Sequence, residues 1–117
     1  MLERIIHSIA EKRQKRENAQ RRLFETAIIT ADNLDHIHLN TGWKAQEFYL
    51  ELNYARSNFG DPFLSNVDCI RIIEKLNKKG LLESHNRLQH LPPEFKLTVK
   101  GNEEAEKIWA RLYPQDK

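Results

Sequence analysis

Basic side chains crowd one stretch near the start of the chain. Lys12, Arg13, Lys15, Arg16, Arg21 and Arg22 stand against Glu17 alone over residues 12–22. On a helix, such a run can follow a polyanion, and each neutralised phosphate steepens the salt dependence of binding. Arg13 and Arg16, in the middle of the run, are the candidates for that contact. The competing reading is a solvated helix in a dimer, with Glu11 and Lys15 paired four residues apart. A second basic set, Arg71, Lys75 and Lys78, is spaced by four and three and so shares one helix face.

Other reactive residue types point to less. His36 and His38 beside Asp35 raise the question of a metal, but a spacing of two does not bring histidines together on a helix. Structural zinc takes four ligands, and Cys69 is expected on a different element. Cys69 reads as a small core residue, because a reactive thiolate needs exposure and nearby positive charge. There is no phosphate-cradling glycine loop and no nucleophile motif. Glu103, Glu104 and Glu106 are accounted for by a helix start, where carboxylates suit the dipole. The sequence therefore predicts neither an enzyme nor a bound cofactor or metal.

Length and composition narrow the class. At 117 residues the chain is long enough for one core and too short for two ordinary domains. Hydrophobic residues at 39% and charged residues at 31% fit a folded chain rather than a disordered one. No apolar run approaches the ~20 residues of a membrane span, and the start lacks a secretory pattern. One cysteine cannot close an internal disulfide. The expected location is cytoplasmic. A formal net charge of +2 permits nucleic-acid binding without requiring it.

The elements that must position these residues follow from spacing. No glycine or proline interrupts Leu2 to about Asn33. Leu2, Ile5, Ile6 and Ile9 have helical spacing, as do Leu23, Ala27, Ile28, Ala31 and Leu34, with a polar stretch from Glu11 to Asn18 between them. This predicts one long helix, or two with a joint, whose apolar patches are buried against a second copy. Residues 1–40 are accordingly read as a helical extension for dimerisation. Thr41 could cap a helix from about Trp43 to Asn58, with Ala45, Phe48, Tyr49 and Leu52 inward. Ser65 and Asp68 suggest a capping box for a helix to about Lys79. Its inner face would be Cys69, Ile72, Ile73 and Leu76, and Gly80 would stop it. Two short strands are predicted, Leu81–His85 and Phe95–Val99, joined by a loop holding Pro92 and Pro93. A last helix runs from about Asn102 to Leu112, with Ala105, Ile108, Trp109 and Leu112 on one face.

Residues Ile70 to Glu83, with Leu76-Asn77-Lys78-Lys79-Gly80-Leu81-Leu82, resemble the recognition helix and first wing strand of winged-helix regulators. Residues Phe95 to Ala105, with Leu97-Thr98-Val99-Lys100-Gly101, resemble their second wing strand, the turn and the helix after it. This order is similar to the MarR and PadR groups and related phage and plasmid regulators, and the resemblance covers residues 65–112. It implies an α+β, mostly α fold: a winged helix-turn-helix over residues 41–117, with a two-stranded β-hairpin wing and a long N-terminal helical extension. There are two departures. Phe59 to Leu64 is too short for the small helix that usually precedes the recognition helix. The wing lacks a basic Asp-x-Arg tip and offers Asn86, Arg87, Gln89 and His90 instead.

The resemblance further implies that the helix from Ser65 lies in the major groove of duplex DNA. Ser65 and Asn66 would sit at its leading end, with Asn66 able to read adenine. Arg71 would meet guanine, Lys75 and Lys78 phosphates, and Arg87 would come from the wing. The expected function is a sequence-specific double-stranded DNA-binding protein, a homodimeric transcriptional regulator. The alternative is a winged helix for protein contacts without DNA binding, which Asp68, Glu74 and the weakly basic wing favour.

Overall fold

The structure is a computed structural model that describes residues 2–86 and 91–114, with side chains from Ile5 onward. The elements run α1 (Leu2–Ile37), β1 (Trp43–Lys44), α2 (Ala45–Asn58), α3 (Asn66–Lys78), β2 (Leu82–His85), β3 (Glu94–Leu97) and α4 (Val99–Leu112). The strands form one antiparallel sheet in the order β1-β3-β2, with Trp43 opposite Phe95 and Leu82 opposite Leu97. No helix among the described residues is long and apolar enough to cross a membrane.

The long first helix forms in one piece, Leu2–Ile37, the first of the two forms its sequence allows, but its two halves have different surroundings. Ala27, Ile28, Ala31 and Leu34 are buried in the same core as Phe48 and Leu52 of α2 and Cys69, Ile73 and Leu76 of α3. Leu82, Phe95, Leu97, Ala105 and Ile108 complete that core. The second half of α1 is thus built into the winged helix, and the core does not stop at residue 40. Residues 5–22 are exposed throughout.

Several local expectations are corrected. Thr41 does not cap a helix at Trp43. Trp43 and Lys44 instead pair with β3, making a third strand, and α2 begins at Ala45 with Lys44 as its N-cap. The cause is Trp43, whose ring is 1% exposed and stacks on Phe48 at 5.4 Å between centroids. A buried indole N–H needs an acceptor, and Asp35 supplies one at 2.9 Å. Glu47 then accepts from the Lys44 backbone N–H at 2.8 Å.

The final helix starts at Val99, not Asn102, and β3 ends at Leu97. Thr98 ends the strand because its hydroxyl is committed twice. It donates to the Gly80 carbonyl at 2.6 Å and accepts from the Gly101 N–H at 3.0 Å as the N-cap. The first turn of α4 therefore holds no carboxylate, and the dipole explanation for Glu103, Glu104 and Glu106 falls. Gly101 is a helical residue in that first turn rather than the turn itself. A Cβ there would lie 2.2 Å from the Leu81 carbonyl oxygen.

Candidate nucleic-acid interface

α2 and α3 form the helix-turn-helix, so the helix sought over residues 59–64 is α2 itself. Three side chains fix the turn. Asn53, buried, donates through Nδ2 to the Tyr49 and Leu64 carbonyls and accepts from the Leu64 N–H at 2.7 Å. Arg56, also buried, donates from Nε to the Pro62 carbonyl at 3.1 Å. Arg22 of α1 grips Asp61 with both Nε and Nη2, at 2.9 and 2.6 Å. Sequence reading missed Asn53 and Arg56. The one signal for them was a pair of strongly polar residues on the inward side of an amphipathic helix.

α3 has half of the expected capping box: the Asp68 N–H donates to Ser65 Oγ at 3.1 Å, without the return bond from the Asp68 carboxylate among the described residues. Cys69, Ile73 and Leu76 are buried and Ile72 is half-buried, so the inner face is as expected. Burial pushes the Cys69 thiol above its ordinary value, with Asp68 adding to the effect. The outer face exposes Ser65, Asn66, Val67, Ile70, Arg71, Glu74, Lys75 and Lys78.

The cations of the protein divide into two kinds. Arg22 is held by Asp61, Arg111 by Glu25 at 2.5 Å and Lys96 by Glu83 at 3.3 Å. The Lys79 ammonium sits 4.6 Å from the centre of the Phe24 ring. Among the described residues, none ion-pairs with Arg71, Lys75 or Lys78. A free cation on a rigid helix is available to an anion without first breaking an internal pair.

The remaining predicted site residues are dispersed. Arg13 and Arg16 lie on the exposed half of α1, about 14 and 9 Å along the helix from Arg22 at 1.5 Å per residue. No bond or ion pair among the described residues brings them to α3. Glu11, offered as the partner of Lys15, pairs instead with His7 at 2.9 Å. Arg87 lies outside the described residues. At the base of the wing, His85 is 3.4 Å from Glu83.

Asp35, His36 and His38 are employed separately. Asp35 is 2% exposed and accepts from the Trp43 indole and, at 3.1 Å, from the Leu97 backbone N–H. Its pKa is raised, with burial the largest influence and Asp32 adding to it, although these two donors pull the other way. His36 donates to the Asp32 carbonyl at 2.8 Å, and that bond raises its pKa. His38 contacts Glu47 at 3.0 Å.

No protein-family model and no curated protein matches the sequence. Solved structures do match. A point mutant of MepR from S. aureus superposes with a TM-score of 0.58 at 13% identity, over 96% of this chain and 77% of that one. A second MepR mutant, from a multidrug-resistant S. aureus clinical isolate, gives 0.53 at 10%, over 96% and 75%. A MarR family transcription regulator gives 0.53 at 15%, over 94% and 71%. At such identities the likeness is one of fold: with α2 and the capped α3 as its helix-turn-helix and β2 and β3 as its wing, the chain has a winged helix-turn-helix fold, like these structures.

Proposed function

We propose that the protein is a homodimeric, sequence-specific double-stranded DNA-binding regulator that reads the major groove with α3. One observation carries this: Arg71, Lys75 and Lys78 stand uncommitted on the outer face of a capped helix whose inner face is locked into the core. Arg71 is the candidate for a bidentate bond to guanine, and Asn66 for adenine. Lys75 and Lys78 would meet phosphates. Val67 and Ile70 offer apolar contact to thymine methyls. Dimerisation would run through the exposed half of α1. The reading also carries the expected cytoplasmic location.

Binding to genomic fragments should be followed by anisotropy at low and raised salt. Arg71→Ala is expected to weaken the preferred sequence roughly tenfold to a hundredfold. Lys75→Ala should weaken all sequences alike and reduce the log–log salt slope by about 1. Absence of binding at low salt, or a signal indifferent to salt, would refute the proposal.

A second reading, docking of a protein on α3, is favoured by one specific feature. Val67 is 56% and Ile70 45% exposed on the same face as the free cations. The double reversal Arg71→Glu with Lys75→Glu separates the two. DNA retention lost in a folded protein supports the first, and retention unchanged supports the second.

A further inference from the structure

α3 carries two acids among its cations. Asp68 stands in the first turn, where a carboxylate suits the helix dipole. Glu74 lies in the middle of the helix and has no such account. It is exposed, three residues after Arg71 and four before Lys78, the spacings at which helix ion pairs form. Among the described residues it pairs with neither. It also lines a groove of about 400 Å³ with Ile70 and Asn77 of α3 and with Pro92 and Pro93, just before β3. Prolines have no N–H to offer it. Lys44, which lines the same groove, makes no ion pair with it either. We propose that Glu74 is a specificity-determining residue, whose carboxylate accepts from the N4 amino group of a cytosine in the major groove. This rests on the DNA reading given above and adds one base to it.

The chemistry of the base edges selects cytosine. In the major groove guanine shows two acceptors, and thymine shows an acceptor beside a methyl group, so neither gives a carboxylate a donor. Adenine shows an amino donor next to the N7 acceptor, an edge that suits an amide. Cytosine alone shows an amino donor with no acceptor of its own. Glu74 stands about 4.5 Å along the helix from Arg71 at 1.5 Å per residue, close to the ~3.4 Å between bases along a strand. Arg71 on guanine and Glu74 on cytosine therefore fall on neighbouring base pairs.

The cost of this residue is general and its gain is local. Free in water, the carboxylate is solvated. Against a duplex it loses that water and approaches phosphates, which weakens binding to every sequence. Only cytosine at the facing position returns a hydrogen bond. Such a residue lowers affinity and raises discrimination. Arg71, Lys75 and Lys78, all without ion pairs, supply the attraction that Glu74 reduces. The acid that argued against DNA is on this view what sharpens the choice of site.

Two readouts on the full chain test this. Selection from a random duplex library should fix cytosine next to the position that Arg71→Ala relaxes. Glu74→Gln keeps the shape and adds an amide donor, so it should change that cytosine to adenine, which an amide reads through N6 and N7. Glu74→Ala should leave the position degenerate. Glu74 has no partner in the fold to lose, so both variants should keep the wild-type melt. Anisotropy should show Glu74→Ala binding a random duplex roughly threefold or more tighter than wild type at low salt, a gain that shrinks as salt is raised. Its preference for the selected duplex over a copy changed at that one base pair should fall roughly tenfold or more. The same selected motif in all three proteins, or a random-duplex affinity that Glu74→Ala does not raise, overturns the role of Glu74 while the DNA reading stands. A wild type that enriches no sequence and is retained by no duplex overturns the DNA reading and this role with it.

Discussion

Gly101→Ala is expected to cost about 3 kcal/mol of stability, the upper end of overpacking, and to lower Tm by roughly 10 °C or more. The added Cβ would sit 2.2 Å from the Leu81 carbonyl oxygen and 2.9 Å from Leu97 Cδ2. The first of these atoms is backbone and cannot swing aside. That carbonyl also accepts from the Thr98 N–H at 3.0 Å, the bond that ties the start of β2 to the end of β3. Moving it would strain the base of the wing. Gly60→Ala is the control: φ there is +73° with open space around it, so the cost is only left-handed strain, about 1–2 kcal/mol. Thermal unfolding followed by circular dichroism compares the two. Equal losses would mean that the close packing of α4 on Leu81 is not what holds glycine at 101.

Asp35→Ala is expected to be nearly as damaging, by about 2–4 kcal/mol. It strands two buried donors, the Trp43 indole and the Leu97 N–H, each worth about 1–3 kcal/mol when unpaired. Part of this is returned because the variant no longer holds a desolvated carboxylate. Asp35→Asn keeps an acceptor for the indole but turns an amide donor toward the Leu97 N–H, and should cost less. The pH dependence has a definite sign. Burial, the largest influence, lifts the Asp35 pKa above its unfolded value, so the folded state holds the proton more tightly. The contribution of this group is then fully present below the ordinary carboxylate range and is lost as pH rises through the raised value. Between pH 7 and pH 4, the Tm of the wild type should therefore gain on that of Asp35→Asn. A gap that moves the other way would show that the two donors outweigh burial.

Much of the fold was legible because it rests on periodicity. The inner faces of α3 and of the second half of α1 were predicted from apolar spacing, as was that of α4 except for Leu112, which is 49% exposed, and Ser65 was named as a cap. What escaped depended on partners far away in sequence. Two residues as short as Trp43–Lys44 have no period to read, and their strand exists because β3 lies alongside and Asp35 waits for the indole. Thr98 read as the strand residue its β-branched side chain suggests. The Gly80 carbonyl, eighteen positions earlier, decided otherwise. The candidate site was legible in part for the same reason. The outer face of α3 follows once its inner face is known, but which cations are free is a tertiary fact. Arg22 and Arg13 look alike in the sequence, and only the position of Asp61 separates them.

The second half of α1, fixed within the core, makes the free half a lever. Asp32 accepts from the Trp109 indole at 3.0 Å, and one turn on Asp35 accepts from that of Trp43, so both tryptophans bolt the same end of the rod. At the fulcrum two ion pairs brace it, Arg22 with Asp61 of the helix-turn-helix and Glu25 with Arg111 of α4. A swing of about 10° at Arg22 would carry Ile5 sideways by roughly 4–5 Å at 1.5 Å rise per residue. That exceeds the ~3.4 Å step between bases along a strand. Both braces are partly exposed, with the arginine side chains at 50% and 56%, so dissolved salt would slacken them. On the proposed DNA reading, ionic strength would then loosen the aim of the protein as well as its grip.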